Sequence, residues 1–402
     1  MSKVSNTGER EREPAIADEV AKARALAPQL AKRALETIAA RRLLDESVGQ
    51  LKDAGLTNVL LAMRSGGREG SLRLHLDVVA EIARGCGSTG WCLGVYHAHG
   101  WLMGLFEERA QDDVYGADRN AILSAVLNPR GEARKVAGGY HLSGFWPFCS
   151  GVHHAGWVIL GGRVLGEDGQ LLDEGVLLLP RDQVTVKDDW YVSGLTGTGS
   201  NSVTCTDVHV PLHRFLSMTK AMAGEAPGAH LHASRLYHSA LVPALTLFIC
   251  SPVIGMARHA LDGFVSRLPG RTMAYTFGEQ QIDMAATHIQ VGEAATKIDL
   301  AYLSLCATIA EIERYAAGKS VMPYLRRATA RMQCAYAVRL CLEATETLLH
   351  ASGGSALSES NDVQLAARDV RAASMHGLLN LTTSLEMYGR AVLRLSPSSP
   401  VV

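Results

Sequence analysis

The chain carries no surplus of either charge: Lys and Arg total 39 against 40 Asp and Glu, for a formal net charge of -1. That balance leaves no basic stripe for nucleic acid and no cationic face for an anionic membrane. None of the eight cysteines forms a Cys-x-x-Cys pair, so the common zinc and dithiol signatures are missing. Their neighbours are mostly apolar, as around Cys250 and Cys341, and they read as reduced core thiols of a cytoplasmic protein. The polar stretch from Ser2 to Glu13 lacks the apolar segment of a secretory signal. No run is expected to reach the roughly 20 apolar residues of a membrane helix. Nicotinamide-binding and P-loop fingerprints are also absent.

What is present is a change of texture along the chain. Residues 1–14 read as disordered. Residues 15–54 read as two helices, with Ala21, Leu26, Leu30, Ala34, Leu35 and Ile38 at helical spacing. Residues 71–116 look helical again, interrupted between Gly85 and Gly90. Near Ala121 the pattern shifts to short strand-like runs, and Gly138-Gly139 predicts a hairpin turn. Past His232 it returns to helix, with four long segments predicted at 233–268, 277–318, 323–352 and 363–394. The expected organisation is a helical domain (15–120), a β-barrel or sandwich domain (121–215), a linker (216–232) and a C-terminal four-helix bundle (233–395). The class is mainly α.

Several segments carry chemistry. Gly194-x-x-Gly197-x-Gly199-Ser200 lets backbone N–H groups approach an anion or a polar ring edge. Alone it is weak, because glycine turns join strands in many folds. His153 and His154 are adjacent, so on a strand they point to opposite faces, and no metal site is expected.

Taken together the motifs are more specific. Trp146-Pro147-Phe148-Cys149-Ser150-Gly151 is followed by His154-Ala155-Gly156-Trp157 and Gly161-Gly162. Asp189-Trp190 then runs into Gly194-Leu195-Thr196-Gly197-Thr198-Gly199-Ser200. Upstream stand Gly87-Ser88-Thr89-Gly90-Trp91, His97-Ala98-His99-Gly100-Trp101 and Leu127-Asn128-Pro129. Downstream stand Arg271, Phe277-Gly278, and Arg368-Asp369 with His376 on a predicted helix. Over residues 20–394 this order resembles the acyl-CoA dehydrogenase fold. It is similar to the branch of two-component flavin monooxygenases that includes the oxygenase component of p-hydroxyphenylacetate 3-hydroxylase and the secosteroid-phenol monooxygenases. Thr196 departs from the pattern, standing where Arg is common.

The resemblance implies an oxygenase component that takes FMNH2 or FADH2 from a separate NAD(P)H:flavin reductase. It would react the flavin with O2 through a C4a-hydroperoxyflavin and hydroxylate a small aromatic or phenolic substrate. It also implies a homotetramer with flavin held partly across an interface. Implied flavin contacts are Trp91, Asn128, Trp146, Phe148, Cys149, Ser150 and Gly151. Thr198, Gly199, Ser200, Arg271, Phe277, Arg368 and His376 complete them. Cys149 or Ser150 would meet flavin N5, Ser150 being the better donor and acceptor. His376 would assist proton delivery or stabilise the peroxide. His99, Trp101 and Ser124 would face the substrate, with His99 bonding or deprotonating a phenol.

Other readings stay open. An acyl-CoA dehydrogenase needs a carboxylate base. Ser360 falls at its usual place, with Glu359 one residue away. Oxidation of sulfur or nitrogen by the same fold, and a non-catalytic scaffold, are the remaining alternatives.

Overall fold

The computed structural model describes residues 18–399 and 401. The segment expected to be disordered, 1–14, lies outside them. The N-terminal region holds α1 (Asp18–Lys32), α2 (Ala34–Ala40), α3 (Asp45–Asp53), α4 (Leu72–Gly85), α5 (Gly87–Met103) and α6 (Glu108–Tyr115). Three helices thus stand where two were predicted over 15–54. The chain leaves helical geometry at Arg33, and Arg41 closes α2 in the left-handed region, with φ 53°. α4 starts where Ser71 Oγ accepts the Leu74 N–H, which satisfies one free amide of its first turn. α5 is buried on every side, so it runs through the interior rather than along a surface.

Seven strands follow: β1 (Leu123–Val136), β2 (Gly139–Trp146), β3 (Trp157–Leu165), β4 (Leu171–Pro180), β5 (Thr185–Val186), β6 (Val203–Pro211) and β7 (Phe215–Ser217). They form one sheet in the order β5-β6-β2-β1-β3-β4-β7. β1 and β2 form the expected hairpin, pairing antiparallel up to Val136 and Gly139. β1 runs parallel to β3, and their register slips between Val126 and Gly131, which bulges the strand at Asn128. Leu142, Trp146, Leu160, Leu177 and Val203 fill the sheet's own core. The stretch 216–232, expected as a linker, carries most of β7 and the short helix α7 (Met218–Met222).

The C-terminal bundle is α8 (Leu241–Val265), α9 (Ala285–Ala317), α10 (Tyr324–Ala351), α11 (Asp362–Ser374) and α12 (Leu381–Val392). α8 is its axis, packing on α4, α5, α10 and α11. Contrary to the sequence expectation, α8 is long and apolar enough to cross a membrane, but 94% of its apolar window is buried inside the protein. Its Phe248 meets the Trp101 ring edge-on at 5.4 Å and the His75 ring at 4.9 Å. Such contacts contribute about 0.5–1.5 kcal/mol each beyond burial. The fourth predicted helix is broken: α11 ends at Ser374, and α12 restarts where Asn380 accepts the Thr383 N–H. His376 therefore sits on the connecting loop, not on a helix.

Candidate active site

α5, the loop after β2 and the loop before β6 converge at Ser150. Gly151 takes φ +71°, and a Cβ there would lie 2.3 Å from Tyr96 Oη, so only glycine fits. Its N–H donates to Thr198 O at 2.9 Å, and the Cys149 N–H donates to Asn201 O at 3.1 Å. Tyr96 Oη–H donates to Gly151 O at 3.0 Å. These bonds lock the two loops against each other and against α5.

A chain of hydroxyls crosses that junction. Trp91 Nε1–H donates to Ser150 Oγ at 3.3 Å. Ser150 Oγ lies 2.7 Å from Ser200 Oγ, which lies 2.6 Å from Thr198 Oγ1. Thr198 donates to Leu195 O at 2.8 Å. A carbonyl only accepts and an indole only donates, so both ends of the chain are fixed. Thr198 gives its proton to Leu195, Ser200 gives its own to Thr198, and Ser150 gives its own to Ser200. Ser150 Oγ is left as an acceptor toward any further partner.

Around it stand the other expected residues. Ser124 Oγ–H donates to Ser150 O at 2.8 Å. His99 Nδ1 lies 3.0 Å from Leu123 O, so Nδ1 carries the proton and Nε2 is an acceptor. Nε2 has no hydrogen-bond partner among the described residues. Burial pulls the His99 pKa down to about 4. The His376 ring lies 6.0 Å from the Trp91 ring at an angle of 58°. It is open to solvent yet sits deep among protein atoms. Desolvation, then the nearby Arg331 charge, lowers its pKa to about 4, and it is neutral at pH 7. Phe148 is exposed, with φ +68°, and stands edge-on to Trp190 at 6.0 Å.

Asp369 underlies this arrangement, a role the sequence reading missed. Its Oδ1 accepts the Leu195 N–H at 2.6 Å, fixing the residue whose carbonyl ends the hydroxyl chain. Gly87, at the start of α5, leaves room for Oδ2, since a Cβ there would lie 2.3 Å away. Burial, partly offset by the Leu195 N–H and the Arg368 charge, raises the Asp369 pKa to about 6. Trp190 supports the same point by donating to Leu195 O at 3.2 Å.

Other expectations are corrected. Trp101 is fully buried and donates to Leu236 O at 3.1 Å, so it is core and cannot face a substrate. Trp146 is fully buried in the sheet and donates to Gly161 O at 2.7 Å, so its ring is closed to a flavin. The Cys149 thiol is fully buried, with its pKa pushed up to about 12, which leaves Ser150 as the available side chain. Arg368 and Asp369 form no ion pair; Arg368 Nε is buried without a partner among the described residues. Arg271 donates to Ser352 O, and Phe277 is wholly exposed on its loop. Neither shares a hydrogen bond or ring contact with the Ser150 cluster among the described residues. Asn128 is exposed on the β1 bulge. Glu359 and Ser360 are exposed on the connection before α11, and no bond joins them to the cluster among the described residues.

The donor set fits a flavin: an oriented acceptor at Ser150, the Trp91 ring beside it, and an unpaired buried Arg368 donor beside the glycine loop. Residues 247–381 match the family model for the acyl-CoA dehydrogenase C-terminal domain. The chain is 34% identical over 378 residues to the flavin-dependent monooxygenase oxygenase subunit HsaA of Mycobacterium tuberculosis, spanning 94% of this chain and 95% of that one. It is 30% identical over 372 residues, 90% of this chain and 91% of the other, to the FADH2-dependent resorcinol hydroxylase oxygenase component of a Rhizobium species. The solved structure of XiaF from a Streptomyces species, in complex with FADH2 and glycerol, matches with TM-score 0.91 at 28% identity, covering 96% of this chain and 97% of that one. Fold and site thus define a flavoprotein of the acyl-CoA dehydrogenase fold. Within that class, the chain belongs to the flavin-dependent monooxygenases, as an oxygenase component.

Proposed function

We propose that Trp91, Ser150 and His376 line the place where reduced FMN or FAD meets oxygen and a small phenolic substrate. The direction of the hydroxyl chain carries this reading. Reduced flavin presents an N–H at N5, and Ser150 Oγ is committed as an acceptor, which suits reduced flavin better than oxidised flavin. Bound reduced flavin supplies the electrons that activate oxygen. Trp91 and Phe148 shield that position from water. Neutral His376 offers a ring N–H to the reacting oxygen.

His99 orients the substrate by accepting the phenol O–H at Nε2. Full proton transfer from a phenol near pKa 10 to an imidazole near 4 would be uphill by ~8 kcal/mol. His99 therefore polarises the phenol through a hydrogen bond, and Ser124 braces the Ser150 loop beside it.

Electrons come from a separate NAD(P)H:flavin reductase, in keeping with the missing nicotinamide fingerprint. Exposed apolar side chains at Tyr275, Phe277, Ile289 and Leu303 suit assembly into a homotetramer. A neighbouring copy's Arg271 and Phe277 would then reach the flavin. The protein works in the cytoplasm.

Stopped-flow spectroscopy tests the reading. The protein is mixed anaerobically with reduced FMN or FADH2 and then with oxygen and a panel of phenols. A slowly decaying absorbance distinct from both free flavin forms, with catechol or hydroquinone products, is expected. Reoxidation at the free-flavin rate with both cofactors would overturn it.

A further inference from the structure

Arg331, on α10, is a buried cation with no carboxylate to pair with among the described residues. Its side chain is almost wholly enclosed, at 4% exposure. Nη2 donates to Gly377 O at 3.1 Å, and Nη1 donates to Val401 O and lies 3.9 Å from Met387 Sδ. Its Nε finds no partner among the described residues. A buried charge held only by carbonyls is expensive, so what those carbonyls belong to matters.

Gly377 follows His376 directly. The Gly377 C=O and the Leu378 N–H are two ends of one planar peptide unit, so fixing one aims the other. The Leu378 N–H points at His376 Nδ1, 3.2 Å away. A neutral imidazole has one donor and one acceptor nitrogen. An N–H directed at Nδ1 makes Nδ1 the acceptor and puts the proton on Nε2. The planar guanidinium fork serves here because it spans two carbonyls from different segments, which an ammonium does less well. The second segment is the C-terminal tail, itself held by Arg390 Nε–H donating to Ser396 O at 2.8 Å.

We propose that Arg331 is a positioning residue that sets the tautomer of His376 through the Gly377–Leu378 peptide, with the tail at Val401 as its second anchor. The proposal rests on His376 facing the flavin, and it assigns a reason for the tail to dock where it does. Loss of Arg331 frees the peptide plane, and both neutral tautomers of His376 become populated. The hydrogen bond that His376 offers to the reacting oxygen is then absent in part of the molecules.

The first readout needs no flavin and no turnover. Nitrogen-15 NMR of the unloaded protein labelled at histidine side chains reports the tautomer, with His376 assigned by its loss in His376→Ala. The wild type is expected to show an Nε2–H form. Arg331→Met is expected to move the His376 nitrogens toward a mixture, and Arg331→Lys to restore part of the shift. Deletion of residues 397–402 is expected to act in the same direction more weakly, and it keeps the test alive if Arg331→Met does not fold. An unchanged His376 signal in Arg331→Met and in the truncated chain would overturn the proposal. So would equal shifts at His75 and His97, which would mark a general disturbance of the fold.

The second readout is a double-mutant cycle on flavin-dependent hydroxylation. Arg331→Met alone is expected to lower turnover about tenfold, the equivalent of ~1.4 kcal/mol. Added to His376→Ala it is expected to do nothing more. A further tenfold loss in the double variant would contradict action through His376. If His376→Ala alone leaves hydroxylation intact, the site reading falls, and the tautomer measurement decides the Arg331 claim independently.

Discussion

His97 and His99 stand two positions apart on α5, and their hydrogen bonding differs. Both are buried, and desolvation lowers both to about 4. The helix turns ~200° between them, so one faces the core and the other faces β1. His97 has both nitrogens engaged: Nδ1 is 2.9 Å from His75 Nδ1, and Nε2 is 2.6 Å from Leu56 O. His99 engages only Nδ1. A shifted pKa therefore does not mark either histidine as functional. The proposed role of His99 rests instead on its spare nitrogen, because catalysis needs a group with unspent hydrogen-bonding capacity.

His97→Ala should have the largest effect. It removes two buried hydrogen bonds, strands His75 and leaves a cavity, so urea unfolding should show a loss of about 3 kcal/mol. Flavin affinity should stay near wild type in the fraction that folds. His99→Ala should invert that pattern. Hydroxylation should fall about a hundredfold, the scale of one preorganised hydrogen bond to charge developing in the transition state, while the urea midpoint moves far less than for His97→Ala. Product quantification against oxygen consumption would show flavin still oxidised but substrate left untouched.

Ser150→Ala sharpens the contrast on the flavin side. It removes the acceptor at the end of the hydroxyl chain and should weaken reduced-flavin binding about tenfold, one charge-free hydrogen bond. Oxidised flavin should bind nearly as before. Anaerobic and aerobic titrations on the same variant check the difference.

A further effect is on pH. Folded His97 and His99 bind protons at about 4, and the unfolded chain binds them near 6.5. The unfolded state thus holds more protons in that window, and stability falls as pH drops from 6.5 toward 4. By pH 5.5 each histidine should take away about 1.4 kcal/mol. Asp369 opposes them: its folded pKa of about 6 lies above the ordinary carboxylate value of 3.8, so its contribution fades as pH rises through 6. Urea midpoints at pH 7.5 and 5.5 for wild type, His97→Ala and Asp369→Asn would separate the three.

Much of this was legible in the sequence, for identifiable reasons. The switch from helical to alternating patterns near Ala121 and back near His232 marks the three regions, because periodicity follows directly from which faces are buried. Ser150 and Gly151 were singled out through the resemblance of Trp146-Pro147-Phe148-Cys149-Ser150-Gly151, and the structure places them where two loops meet α5. The buried places of Trp101 and Trp146 were not legible. An indole whose N–H meets a carbonyl in the core looks the same in sequence as one lining a cleft. The role of Asp369 was hidden in sequence because its partner Leu195 lies far from it along the chain, and helix neighbours point ~100° apart, so Arg368 does not share that contact. The break after Ser374 was hidden in an apolar helical pattern, with only Gly377 and Asn380 to signal it. Arg331 was invisible because its partner at Gly377 lies 46 residues further along the chain.

A crystal structure of the protein soaked anaerobically with reduced FMN or FADH2 would show where the flavin binds. The flavin ring is expected against Trp91 and Phe148, its N5 within hydrogen-bond distance of Ser150 Oγ, and His376 at its edge. A flavin bound with Ser150 and His376 both out of reach would contradict the proposed site.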